Sequence, residues 1–288
     1  MKNQTNTCPC KSERRTLAAF TLIELLTVIS IIAILAALLL PAIAKAKEQA
    51  QKRKAQMEVS QIAQAIHTYE SEYSKFPVSS VGAANATSAA AAVPAAVGGP
   101  EDFTYGTTFN QPGGTTFNVA VPGVSYVANN SEVMAVLLDV ESWPVPLPGV
   151  ATINKGHVKN PQKTKYLNAT TVTDTNNPGV GPDGVYRDPW NNPYVITIDL
   201  NYDEKARDAF YRLPAVSQVS AADPNRGING LILKKDTSGN PVLVNGQHVF
   251  EANSPVMVWS AGPDKLIDSN AKANAGANKD NIISWKQQ

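Results

Sequence analysis

The sequence predicts an α+β chain in which one long N-terminal helix packs on a small antiparallel sheet. Three patterns predict it. An apolar run opens the helix, an apolar stripe at alternating steps of three and four continues it, and short β-type segments with a hairpin signal crowd the C-terminal part of the chain.

From Phe20 to Ala44 the residues are apolar except Thr21, Glu24, Thr27 and Ser30. At 1.5 Å per helical residue that run is long enough to cross a hydrocarbon core of about 30 Å. It is too long for the apolar part of a secretory signal peptide, and its small pair Ala18-Ala19 precedes the run instead of following it. A plain signal anchor would explain the length but not a carboxylate at Glu24, because a charge in such a helix costs roughly 2.5 to 3.5 kcal/mol on insertion scales and so has a partner or a task. Basic residues flank both ends, Lys2, Lys11, Arg14 and Arg15 before and Lys45, Lys47, Lys52, Arg53 and Lys54 after, so the positive-inside rule does not orient the span. The second cluster reads either as a solvated or headgroup-facing helix surface, with Glu48 spaced to pair with Lys52, or as an electrostatic seam between copies.

Beyond the apolar run, Val59, Ile62, Ile66, Tyr69 and Tyr73 form one stripe that needs a sheet to cover it. The helix should bend at Pro41, which lacks the amide for an intrahelical bond, and should stop near Lys75-Phe76-Pro77. Residues 78–130, rich in Val, Ala, Gly, Thr and Asn with little periodicity, read as a long surface insertion. Asn130 or Ser131 is placed to cap a short helix over Glu132–Val140, with Val133, Val136, Leu137 and Val140 as its apolar face. Tyr194–Leu200 alternates at period two and reads as a half-buried strand. Further strands fit Gly230–Lys234, Pro241–Val244, His248–Glu251 and Val256–Ser260 as an antiparallel meander, with Asn245-Gly246 as a hairpin turn.

The charge is near balance, 25 Lys plus Arg against 24 Asp plus Glu, so no basic excess calls for nucleic acid. The only cysteines, Cys8 and Cys10, lie together near the N-terminus without ligand partners nearby, and Cys8 follows a polar segment, which is not the setting of a lipoprotein cysteine. No G-x-S-x-G, H-E-x-x-H, Walker A or G-x-G-x-x-G motif occurs. His67, His157 and His248 are too scattered to suggest a shared metal, and His67 alone reads as a partly exposed helix residue. An enzyme is therefore not expected.

Arg14-Arg15 followed by Ala19-Phe20-Thr21-Leu22-Ile23-Glu24-Leu25-Leu26-Thr27-Val28-Ile29 resembles the processing and methylation site of type IV prepilins and type II secretion pseudopilins, and Pro41 stands where those proteins often carry a kinking proline. The resemblance implies a pilin-like fold and cleavage by a prepilin peptidase between Ala19 and Phe20. It further implies N-methylation of Phe20 and pairing of Glu24 with the terminal amine of a neighbouring copy inside a helical filament. Ala19 stands where the family usually has Gly before the cut. The implied partners are other copies of the chain, the peptidase, the inner-membrane assembly platform and minor pseudopilins. The implied location is a single-pass inner-membrane protein with an extracytoplasmic C-terminal domain that passes into the filament.

Asp188-Pro189-Trp190-Asn191-Asn192-Pro193-Tyr194 is similar to the Asp-Pro-Trp-Gly-Asn-Pro-Tyr segment of major type II secretion pseudopilins, with Asn191 in place of Gly. Both residue types tolerate left-handed backbone. Ser260–Asp264 and Lys279–Trp285 resemble the C-terminal loop in which those proteins hold calcium, which implies Asp264 and Asp280 as ligands and Asp268 as a third oxygen donor, with Trp285 on the sheet. Short carboxylates in an Asn- and Gly-rich loop suit a hard cation, though the spacing is not that of an EF-hand and Lys265 replaces the family's Gly. Together with the lack of cysteine in the mature chain, these segments favour a secretion pseudopilus over a type IV pilus or a DNA-uptake filament. The expected organisation is a leader at 1–19, a membrane and filament-core helix at 20–44 and an amphipathic continuation at 45–76. A loop-rich insertion with a short helix follows at 77–187, then sheet and C-terminal loop at 188–288.

Overall fold

The computed structural model describes residues 21–91, 102–120, 126–145, 150–220, 223–236, 238–244 and 246–285. The chain divides into two compact units, residues 1–49 and 50–288. Helix α1, Leu22–Tyr73, belongs to both and contains Pro41. In the first unit every described residue is exposed, as expected of an apolar segment that has no protein around it in a single copy.

In the second unit α1 is amphipathic as its spacing predicts. Ala55, Val59, Ile62, Ala65, Ile66 and Tyr69 are buried, and Tyr73 is partly so. Burial of each large aliphatic side chain stabilises the fold by roughly 1.5 to 3 kcal/mol. The helix stops where the proline rule requires: Ser74 turns to φ 52° and its amide bonds the Glu70 carbonyl at 2.7 Å, three residues before Pro77.

The covering sheet is antiparallel, with strands β1 (Phe103–Tyr105), β2 (Val195–Ile198), β3 (Val256–Ser260) and β4 (Ile282–Ile283) side by side in that order. The register pairs Tyr105 with Ile196, Val258 with Ile196 and Trp259 with Ile283. This is an α+β arrangement. Two expectations are corrected. Residues 78–130 are not only a surface insertion: they form a second helix, α2 (Ser80–Ala91), and supply the edge strand β1, whose three residues are all buried. Strand β2 is not half-buried either; all four of its residues are buried. Ile196 and Ile198, with Val256 and Val258, face the core shared with α1, while Val195, Met257 and Trp259 enter a second core on the opposite face.

That second core belongs to a layer the sequence did not place. Gln218–Ser220, Asp223–Gly227, Ile232–Leu233 and Phe250–Glu251 make a separate four-stranded sheet, so the segments expected to extend the meander build the second layer. Leu243–Val244 and Gln247–His248 pair as the hairpin expected around Asn245-Gly246; Asn245 lies outside the described residues and Gly246 has φ 76°. Trp259 is fully buried, with ring centroids of Tyr211 at 5.3 Å and Phe210 at 5.6 Å. Its indole N–H donates to Asp208 at 3.0 Å.

Helix α3, Ser131–Leu137, replaces the predicted amphipathic helix over Glu132–Val140, and Val133, Met134, Ala135, Val136 and Leu137 are all buried. Asn130 does not cap it. Its amide instead donates to the carbonyls of Tyr186 (2.9 Å) and Tyr194 (2.8 Å), and its oxygen accepts the Tyr186 amide at 2.8 Å.

Candidate functional site

Among the described residues, α1 is the one helix long and apolar enough to cross a membrane. Thr21, Glu24, Thr27 and Ser30, the polar residues of the apolar run, are each handled locally. The Thr21 amide and hydroxyl both donate to Glu24 Oε2, at 2.9 and 2.7 Å, and the Glu24 amide donates to Thr21 Oγ1 at 3.2 Å. This is a capping box: two end groups of the helix satisfy each other reciprocally. The Thr27 and Ser30 hydroxyls donate back to the carbonyls of Glu24 (3.0 Å) and Leu26 (2.7 Å). Glu24 Oε1 accepts no hydrogen bond from a described residue. The carboxylate thus enters the apolar run half satisfied, with one oxygen left for another donor. Ala19 and Phe20 lie outside the described residues.

Residues 14–40 match the family described as the prokaryotic N-terminal methylation motif. The chain has a prepilin-like N-terminus. The match spans Ala19, Phe20 and Glu24, marks the chain as a type IV pilin-like precursor and is not to an enzyme family. No curated protein and no solved structure matches the chain.

In the second unit of the prepilin-like chain, one turn ties the helix, the sheet and the C-terminal loop together. Asp188 is fully buried. Its Oδ1 accepts the amides of Trp190 and Asn192, both at 2.8 Å, and its Oδ2 accepts the Asn192 side-chain amide at 2.9 Å and the Ser260 hydroxyl. Burial outweighs these bonds and holds the Asp188 carboxyl above the usual aspartate range. Asn191 has φ 73°, the left-handed conformation for which Gly or Asn is suited. From α1, Gln51 donates to the Pro189 carbonyl at 3.4 Å and Gln56 to the Ile283 carbonyl at 3.1 Å, while Tyr194 donates to Glu58 at 2.6 Å. The Asn192 side chain also donates to the Gly262 carbonyl at 2.8 Å. Gly262 is required there: its φ is 73°, and a Cβ would lie 2.4 Å from the Asp280 carbonyl oxygen.

The loop brings Asp264 and Asp280 together. Partial burial raises the Asp264 carboxyl and the Asp280 charge adds to it, opposed by the Leu266 amide and by Lys279. Asp280 Oδ1 is buried without a hydrogen-bond partner among the described residues. Lys265 has φ 60°, so the position still has the backbone a glycine would supply. Asp268 uses Oδ1 to accept the Asn270 amide at 2.9 Å, and no group of three His, Cys, Asp or Glu side chains suited to a metal occurs among the described residues. Sequence reasoning missed Asn278, which is buried and organises the loop. Its amide donates to the carbonyls of Asp268 (2.8 Å) and Ala271 (2.9 Å), and its oxygen accepts the Asp268 amide at 2.8 Å. Nothing in an Asn-rich stretch distinguishes such a residue from a surface one. The capping box was legible as Thr-x-x-Glu; the isolated carboxylate drew the reading to a partner in another copy.

Proposed function

We propose that the chain is a structural subunit of a type II secretion pseudopilus, cut by prepilin peptidase between Ala19 and Phe20 and N-methylated at Phe20. The observation that carries this reading is the bare apolar helix of the first unit, opening on the Thr21–Glu24 box inside a methylation motif. Such a surface is stable only in lipid or against other apolar helices. In lipid the capping box answers one carboxylate oxygen; in the filament the new amine of Phe20 from a neighbouring copy answers the other, so two charges that are each costly alone are buried as a pair. The subunit leaves the inner membrane with its C-terminal domain on the extracytoplasmic side, engaging the assembly platform and minor pseudopilins.

The secretion system is preferred over a type IV pilus or a DNA-uptake filament on the Asp188–Tyr194 turn and on the loop it holds. We propose that Asp264 and Asp280 share one calcium ion there. The unpartnered Asp280 oxygen and the mutual repulsion of the two carboxyls fit a hard cation that takes carboxylate and carbonyl oxygens. Calcium would supply the charge that lets the two segments stay closed. Deleting the chain in cells tests the whole reading. Retention of secreted proteins in the periplasm, relieved by wild type but not by Glu24→Ala, is expected. Normal secretion with loss of surface pili, or of transformation by added DNA, would assign the pilus or DNA-uptake alternative.

A further inference from the structure

The second layer carries an open cleft of about 1030 Å³ that none of the preceding features uses. Its polar lining is Arg226, Asn229, Asn253, Lys272, Asn274 and Trp285, with no carboxylate among the described lining residues. A smaller cleft of about 300 Å³ shares Asn229 and Asn274 with it and adds Lys279, again without a carboxylate. Most of these polar groups are unused. Among the described residues, the side-chain amides of Asn229, Asn253 and Asn274 and the Arg226 guanidinium have no partner. Lys272 donates to the Pro214 carbonyl at 3.2 Å and has no ion pair among the described residues. Trp285 itself is fixed, edge to face on Tyr211 with centroids 5.0 Å apart.

Planar amides that each donate and accept match hydroxyl groups, which also do both. A fixed indole offers a flat apolar surface beside them, and two cations without a counter-charge among the described residues favour an anion. We propose that this cleft binds an acidic oligosaccharide: a sugar ring against Trp285, its hydroxyls on the asparagine amides, and its carboxylate or sulfate on Arg226 and Lys272. An acidic peptide would satisfy the cations but offers no hydroxyl array to the three amides.

The test is calorimetric titration of the full-length protein in detergent micelles with trigalacturonate and a chondroitin sulfate tetrasaccharide, with maltotriose and hexaglutamate for comparison. At least one acidic sugar should bind saturably, about tenfold or more tighter than maltotriose and hexaglutamate. Arg226→Gln, at an exposed side chain that the fold does not use, should weaken it about tenfold, since a hydrogen-bonded charge pair is lost. Trp285→Phe keeps a ring on Tyr211 while shrinking the flat surface offered to the sugar and should weaken binding of both acidic and neutral sugars. The inference is overturned if neither acidic sugar saturates, if Arg226→Gln binds like wild type, or if hexaglutamate binds as well as the sugars, which would assign the cleft to acidic peptides.

Discussion

Replacing Asp188 with alanine should be among the most damaging single changes in the second unit. The substitution removes an acceptor from the Trp190 and Asn192 amides, the Asn192 side chain and the Ser260 hydroxyl at once. Bonds to a charged group are worth about 1.5 to 3 kcal/mol each, but the raised Asp188 pKa shows that burying the charge already opposes part of that gain. Donors left unpaired in the interior add a cost of their own, and a net loss of about 3 to 5 kcal/mol follows, within the range for breaking a buried charged cluster. Asp188→Asn keeps the shape and one acceptor oxygen while setting two amide NH2 groups against each other, so it should lose about 1 to 2 kcal/mol. The pH dependence separates this account from a general packing defect. Because the folded pKa is raised, the native state holds the proton more tightly than the unfolded state. Wild-type stability from this group is therefore present at acid pH and declines as pH rises from the usual aspartate range through the folded value. The asparagine variant lacks that decline, so its deficit should shrink as pH rises. Urea unfolding of the full chain in micelles, followed by near-UV circular dichroism across pH, reads both quantities. An Asp188→Ala loss under about 1 kcal/mol, or a wild-type minus Asp188→Asn difference independent of pH, would refute the reasoning.

Intact-mass analysis of filament material should give a mature chain starting at N-methylated Phe20; an unprocessed leader would reject the prepilin reading. Glu24→Ala should leave the chain in the membrane yet block or slow filament assembly. Thr21→Val, which removes only the hydroxyl half of the capping box, should destabilise the helix start by about 0.5 to 2 kcal/mol and still assemble; equal assembly by the Glu24 variant, scored by pelleting, would end the ion-pair role. Calcium at a hundredfold excess over its Kd should stabilise the folded protein by about 2.7 kcal/mol, seen as a rise in Tm that chelator, Asp264→Ala or Asp280→Ala abolishes. A Tm indifferent to both would leave those aspartates as loop residues. Tyr194→Phe should lower stability by about 1.5 to 3 kcal/mol, because its hydroxyl donates to the Glu58 carboxylate at 2.6 Å; an unchanged unfolding midpoint would remove that bond from the account.

What the sequence determined by itself was whatever a short window of residues decides. The apolar run and its stripe define α1 because a period of 3.6 is visible over many turns, and Pro77 with Ser74 ends it locally. The strand Val256–Ser260 was legible for the same reason, since a run of five strand residues needs no distant partner to be recognised, whereas the Asp188–Tyr194 turn was read from its resemblance to a family segment, and Asn191 does take the left-handed backbone there. Tertiary structure decided the rest. Three residues at Phe103–Tyr105 carry no period, and only pairing with Val195–Ile198 makes them an edge strand. Period two in Val195–Ile198 marks two faces but not what covers them, so the second layer behind Val195, Met257 and Trp259 could not be seen. The buried asparagines Asn130 and Asn278 spend their amides on backbone groups 56 and 10 residues away in the chain. A polar side chain is kept in the interior by partners that folding alone brings to it, and no local pattern announces them.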